Sequence, residues 1–401
     1  MLKKYLLIVV LATLSVGIAS VGSAFAYIFL ALITPSLLIG YTLPVLVFAV
    51  ICYGGLRFSL KVGSNRYLRV ALPLSLMLTM AAVGLVAYPT IREAVRQHPD
   101  LASDEVLDAL QENTFPLVSV DAGQGFDDLL PMVPLLTGKR IVALGEATHG
   151  TSEFFRMKHR LVEFLVREMG FRHFGMELSP EDGYLIDSYI QGKGTDPKQV
   201  LYWPWATQEV MEMLDWMRDY NASVAPEQRI TFHGIDPIVG ERDLVMAQNV
   251  SRILEESGPD SKIVLWAHNA HISNGSGWMG SYLKQTWGDQ AYLLGFEFDH
   301  GSFTSRMVTV QTYSVGPATP DYYAYALAKL NQPQLYLDFG TLSQSPPLRS
   351  WLEAPQSSHD FQEIHAIYRL NPDWYTLHTS WFNLYDAMIF IVESTPAEPI
   401  R

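Results

Sequence analysis

Gly145-Glu146-Ala147-Thr148-His149-Gly150 sets a carboxylate and an imidazole three residues apart in a turn bracketed by glycines. A neutral histidine beside a carboxylate can take a proton from water, while the carboxylate fixes its tautomer and stabilises the imidazolium. Alone, His149 reads first as a capping or core histidine. Three other segments reverse that balance. Glu177 closes an apolar run before Leu178-Ser179-Pro180, Asp236 closes a second before Pro237, and His268-Asn269-Ala270-His271 closes a third. A carboxylate ending an apolar run is costly to bury unless it is paired or used. His268 and His271 suit either a metal or two hydrogen-bond donors in a loop. Asp236 reads equally as a turn residue.

Lys158 lies on one helical stripe with Phe154, Leu161 and Leu165, whereas Arg156, Arg160, Glu163 and Arg167 fall on another. A lysine on an apolar stripe needs a partner, and nearby carboxylates supply one. It then either stabilises an oxyanion or holds Glu146; the alternative is snorkelling to solvent. Among the tryptophans, Trp205, Trp266 and Trp278 stand next to these polar segments, as core packing or as the wall of an apolar pocket. There is no G-x-S-x-G elbow, no G-x-x-x-x-G-K-[ST] loop and no G-x-G-x-x-G after a strand. Serine-nucleophile and nucleotide chemistry are thereby disfavoured, leaving water activated by histidine and carboxylate.

These residues need a scaffold that gathers strand ends. Strands are expected at Ile141–Leu144, His173–Glu177, Ile230–Ile235, Ile263–Ala267, Tyr292–Phe296, Gln334–Phe339 and Ala387–Val392. Helices are expected near Ser152–Met169, Pro180–Gln191, Thr207–Tyr220, Glu241–Glu256 and Tyr322–Leu330. Such alternation predicts an α/β domain over 114–401, with a mainly parallel sheet flanked by helices. Ligand sites in such sheets gather at the carboxyl ends of the strands.

The chain has 401 residues and a net charge of −13, which argues against nucleic acid as a partner. Residues 1–89 carry six basic and no acidic side chains, so the remainder carries −19. The charge-poor runs at about 5–26, 27–52 and 70–89 are each near the ~20 residues that cross a bilayer. They predict an all-α transmembrane anchor, with 90–113 as a juxtamembrane linker or helix. The first run also fits a cleavable signal peptide. Lys3, Lys4 and the basic loop from Arg57 to Arg69 belong on the cytoplasmic side. This predicts a multi-pass cell-membrane protein, in contact with lipid, whose α/β domain is extracytoplasmic. The single cysteine, Cys52, lies in the second run, so the outer domain has no disulfide or thiol nucleophile.

Leu144-Gly145-Glu146-Ala147-Thr148-His149-Gly150-Thr151 followed by Glu153-Phe154-Phe155 resembles the opening signature of the erythromycin esterase family. Matching blocks follow in order: Trp205-Ala206-Thr207, Phe232-His233-Gly234-Ile235-Asp236, Leu265-Trp266-Ala267-His268-Asn269-Ala270-His271-Ile272, and Tyr385-Asp386-Ala387-Met388-Ile389-Phe390-Ile391. The resemblance spans roughly 115–400. It implies hydrolysis of a carboxylic ester or macrolide-type lactone, the chemistry of macrolide antibiotic resistance. It also implies His149 as the base activating water with Glu146 beside it, Glu177 as the later acidic residue, His268 and His271 as the paired histidines, and Lys158 as the basic residue of the first helix.

The expected protein is therefore a membrane-anchored hydrolase acting on a small-molecule ester or lactone without a cofactor. Substrate would meet Trp205, Trp266, Trp278 and Asp236. Two other readings stand beside it. In one, Glu146, His149, Glu177 and His268 or His271 hold a divalent metal for ester or peptide hydrolysis. In the other, the outer domain binds a ligand without turnover.

Overall fold

The computed structural model describes residues 99–400 except 195, 238–239, 307–308 and 362–374. Its first elements are α1 (Asp104–Asn113), β1 (Phe115–Pro116), α2 (Met132–Leu136), β2 (Ile141–Leu144), α3 (Ser152–Met169) and β3 (His173–Met176). Next come α4 (Pro180–Ile190), α5 (Gln208–Ser223), β4 (Thr231–Gly234), α6 (Arg242–Ser257), β5 (Ile263–Trp266), α7 (Asn269–Ile272) and α8 (Met279–Trp287). The last are β6 (Ala291–Arg306), β7 (Val310–Val315), α9 (Tyr323–Ala328), β8 (Gln334–Asp338), α10 (Phe339–Leu342), α11 (Pro346–Glu353), β9 (Gln356–His359), β10 (Thr376–Thr379) and β11 (Ala387–Ser394).

Among the described residues nine strands form one sheet in the order β1-β8-β11-β6-β2-β5-β3-β4, with β7 added against β6. From β11 to β4 every neighbouring pair is parallel. The β1–β8, β8–β11 and β6–β7 pairs are antiparallel, so the sheet is mixed. β9 and β10 form a separate antiparallel pair.

Strands β2 and β5 are buried on both faces, which is why they read as unbroken apolar tetrapeptides rather than alternating ones. Val142, Leu144, Val264 and Trp266 face one apolar cluster with Phe154, Leu161 and Leu165 of α3. Ile141, Ala143, Ile263 and Leu265 face the other, with Met246 and Val250 of α6 and Leu283 of α8. Helix α3 ends at Gly170, whose φ of 72° is the left-handed cap conformation.

The loop after β2 is set by close approach. A Cβ on Gly145 would lie 2.1 Å from Asn269 Oδ1, and one on Gly150 would lie 2.1 Å from the Thr304 carbonyl oxygen. Only glycine lets α7 and the long strand β6 press against this loop. β6 runs far beyond the expected Tyr292–Phe296, and its extension pairs with β7 and carries Glu297 to the rim above β2.

The expected fold class needs correction. The architecture is a mixed α/β domain, and among the described residues no helix is long and apolar enough to cross a membrane. The long described helices are amphipathic instead: α3 alternates buried apolar residues with Arg156 and Arg167. The runs at 5–26, 27–52 and 70–89 lie outside the described residues. The all-α transmembrane anchor and the multi-pass membrane location therefore find no support in the fold. Helix α1 is capped by Ser103 and buries Val106 and Leu110 in the second apolar cluster.

Candidate active site

The carboxyl ends of β2, β3, β4 and β5 deliver Glu146, Glu177, Asp236 and His268 to one rim. The β2 and β5 loops are tied directly, the Asn269 backbone N–H donating to the Glu146 carbonyl at 2.9 Å. Fully buried Glu146 divides its carboxylate between two tasks. Oε1 lies 2.7 Å from His149 Nδ1. Oε2 accepts from Lys158 Nζ at 2.5 Å and from Trp266 Nε1 at 2.8 Å. Fixing Nδ1 on Glu146 leaves Nε2 of His149 as the nitrogen able to take a proton. The His149 ring meets Trp203 and Trp205 edge-on at 5.9 and 5.8 Å and sits 4.9 Å from the ring of His268.

Lys158 is completely buried, its Nζ also 4.4 Å from the centre of the Trp266 ring. Burial drives its ammonium down to about 8, a fall that the Glu146 charge and hydrogen bond partly offset. Its geometry assigns it to Glu146.

Glu177 is the centre of a second network. Oε1 accepts from Arg242 Nη2 at 2.7 Å and lies 3.3 Å from His271 Nε2. Oε2 accepts from the His268 backbone N–H at 3.0 Å. Burial alone would raise this carboxyl. His271, through its hydrogen bond and charge, holds it far below the usual carboxylate range, helped by His149 and Arg242. The other His271 nitrogen, Nδ1, lies 2.8 Å from Asp243 Oδ1. Burial opposes charge on His271, but Asp243 and Glu177 outweigh it and raise the ring to about 9. Asp236 binds the same Arg242 through both carboxylate oxygens.

His268 is buried and neutral: burial, reinforced by His149, pushes it well below its ordinary value. Its Nδ1 accepts from the Ala270 backbone N–H at 3.2 Å, so the ring proton resides on Nε2. That Nε2 is buried without a hydrogen-bond partner. Asp360 approaches the same nitrogen, its Oδ1 3.5 Å from Nδ1.

The tryptophans divide. Trp205 and Trp266 are buried, packing edge-on against each other at 5.7 Å, and Trp266 serves Glu146. Trp278 meets His271 edge-on at 5.4 Å and lines a neighbouring cavity. The donor set does not fit a divalent cation. Lys158 occupies Glu146, Arg242 occupies Glu177 and Asp236, and among the described residues no three His, Asp or Glu side chains converge as ligands.

Sequence reasoning passed over Arg242, Asp243 and Asp360. The first two open α6 directly after the Asp236 turn, a strand-to-helix junction like that of Glu146. Asp360 arrives through the β9 hairpin, with no local pattern pointing to the rim.

The erythromycin esterase family model matches residues 166–241 and 237–394, more than half of the chain. The chain belongs to the erythromycin esterase family. Over 116 residues it is 35% identical to erythromycin esterase type II of Escherichia coli, covering 28% of this chain and 26% of that protein. Over 95 residues it is 36% identical to the putative hydrolase YbfO of Bacillus subtilis (strain 168), covering 23% and 21%. The chain thus spans about a quarter of these relatives' lengths. Among solved structures, a succinoglycan biosynthesis protein is similar with a TM-score of 0.63 at 21% identity, covering 73% of this chain and 98% of that one. A Bacillus cereus protein gives 0.62 at 19%, covering 74% and 99%. An erythromycin esterase mutant in its open conformation gives 0.55 at 14%, covering 71% and 98%. At these identities the structural likeness shows the fold alone.

Proposed function

We propose that this family member is a hydrolase cleaving a carboxylic ester or lactone by direct attack of water, with no covalent enzyme intermediate. Its erythromycin esterase membership supports the hydrolase class. The observation carrying the mechanism is the Glu146–His149 pair, joined at 2.7 Å with Nε2 left as the proton acceptor.

His149 Nε2 takes a proton from water as the water oxygen bonds to the ester carbonyl carbon. The carbonyl π electrons move onto oxygen, giving a tetrahedral oxyanion. As the C–O bond to the alcohol breaks, the imidazolium returns its proton to the leaving oxygen. The products are a carboxylic acid and an alcohol, or one hydroxy acid from a lactone. General-base help of this kind contributes ~10²–10⁴ in rate.

Hydrogen-bond accounting selects the oxyanion donor. Lys158 is engaged by Glu146, and both His271 nitrogens are engaged by Asp243 and Glu177. His268 retains an unpaired Nε2–H next to His149, and we assign it to the oxyanion. Lys158 and Glu177 are positioning residues, one fixing Glu146 and the other holding the His268 backbone.

The test is a mass-spectrometric screen of macrolides and other esters with the full chain, looking for addition of one water. Hydrolysis of a panel member, lost in His149→Ala, is expected. Wild-type rates in His149→Ala would overturn the mechanism.

A further inference from the structure

Beside the His149 rim lies a cavity of about 140 Å³ that the hydrolytic mechanism does not use. Its charged lining is acidic: Glu297 and Asp360 face it, and neither lysine nor arginine does. Trp278, Trp381, Tyr385 and Met388 provide aromatic and thioether walls. The two carboxylates differ in kind. Glu297 is satisfied, accepting from the backbone N–H groups of Phe298 at 2.8 Å and His359 at 2.9 Å and meeting His359 Nδ1 at 2.7 Å. Asp360 lines the cavity with a part-exposed side chain, and its Oδ1 lies 3.5 Å from His268 Nδ1 without a hydrogen-bond partner.

A carboxylate that lines a cavity without a full set of hydrogen bonds is costly, and a cation meeting its accessible side would relieve it. A compact metal ion is disfavoured by the apolar walls and by Glu297 being fully engaged. Aromatic side chains beside an incompletely bonded carboxylate suit a soft alkylated cation, whose methyl groups contact rings while its charge meets the carboxylate. The field at Tyr385 agrees: after burial, Asp360 and Glu297 are the causes that raise its hydroxyl far above the usual phenol range. We propose that this cavity is a binding site for an organic ammonium group, with Asp360 as its counter-charge. The site goes beyond the hydrolase assignment and does not depend on it.

Choline chloride and its neutral isostere 3,3-dimethylbutan-1-ol have the same shape and differ in charge. Calorimetric titration of the full chain with each, at matched ionic strength, reads the site without any turnover. Choline is expected to bind at least about tenfold more tightly than the isostere, and Asp360→Asn is expected to abolish that preference. Equal affinities, no binding of choline, or a preference that survives Asp360→Asn would overturn the proposal. Should the variant fail to fold, the wild-type comparison of the two probes still decides. Loss of this binding leaves the ester chemistry standing, and an inactive His149→Ala chain leaves this site standing.

Discussion

Asp243 Oδ1 lies 2.8 Å from Nδ1 of His271, placing a carboxylate from the first turn of α6 behind a histidine of the short helix α7 that follows β5. His271 in turn faces Glu177, so a cation is held between two carboxylates. Because Glu177 also accepts the His268 backbone N–H, this ion triad positions the histidine assigned to the oxyanion. In the proposed mechanism the chemistry at β2 therefore draws on charges gathered from the loops after β3, β4 and β5.

The sign of the resulting pH dependence follows from His271. Its ordinary value of 6.5 applies to the unfolded chain, and its folded value is raised to about 9. Between these values the folded protein binds the extra proton, so this stabilisation is complete below about pH 6.5 and is lost as pH rises through 9. The magnitude is on the order of 3 kcal/mol. The depressed Glu177 carboxyl describes the same contact from its other end, so the two shifts are not added. Urea unfolding of wild type and Asp243→Asn at pH 6 and pH 9.5 checks this, with a smaller pH difference expected in the variant.

Lys158→Met should be severely destabilising. It removes the buried ammonium and leaves Glu146 with only His149 and Trp266. Breaking one side of a buried ion pair typically costs about 3–5 kcal/mol. Denaturant midpoints measure the loss. A neutral effect would show that Glu146 does not depend on Lys158 for its place in the fold.

Single replacements separate the roles assigned to the two neighbouring histidines. His149→Ala is expected to lower kcat by about 10²–10⁴, and His268→Ala by about 10²–10³. The variants should differ in chemical rescue: added imidazole should partly restore His149→Ala, which lacks a base, and leave His268→Ala unrestored. Equal rescue of the two variants would contradict the division of labour.

What the sequence revealed followed local patterns. Ser152–Met169 was readable as α3 from its apolar stripe, and Lys158 stood out because it broke that stripe. Glu146 and His149 were readable because both belong to one turn. Asp360 was not, because its approach depends on the Phe361 backbone N–H donating to the Ala147 carbonyl, a contact across more than 200 residues. Glu297 was hidden for a related reason: strand β6 continues well past the apolar stretch that announced it, and the carboxylate lies within that continuation. The three charge-poor runs show the opposite hazard, since composition alone suggested an anchor that no described helix supports.

Gly150→Ala tests whether the catalytic turn is fixed by contact rather than by its own preference. The added Cβ would fall 2.1 Å from the Thr304 carbonyl oxygen and 2.2 Å from its Oγ1. Strand β6 is paired there with β7, Thr304 opposite Thr312, and its backbone cannot yield as a flexible side chain would. The Gly150 carbonyl also accepts backbone N–H groups from Thr304 and Ala397, so displacement breaks two further hydrogen bonds. Overpacking of this kind costs typically about 1–3 kcal/mol. Because His149 precedes Gly150, the shift should also move its ring away from Glu146. The expected outcome is a lower denaturant midpoint together with a greater loss of kcat than of substrate affinity. Gly123→Ala provides the contrast, since an added Cβ there meets nothing within 4 Å and only the φ of 76° is strained. That variant should lose stability with kcat unchanged, and equal kinetic losses in both would show that the turn at Gly150 has no special hold on His149.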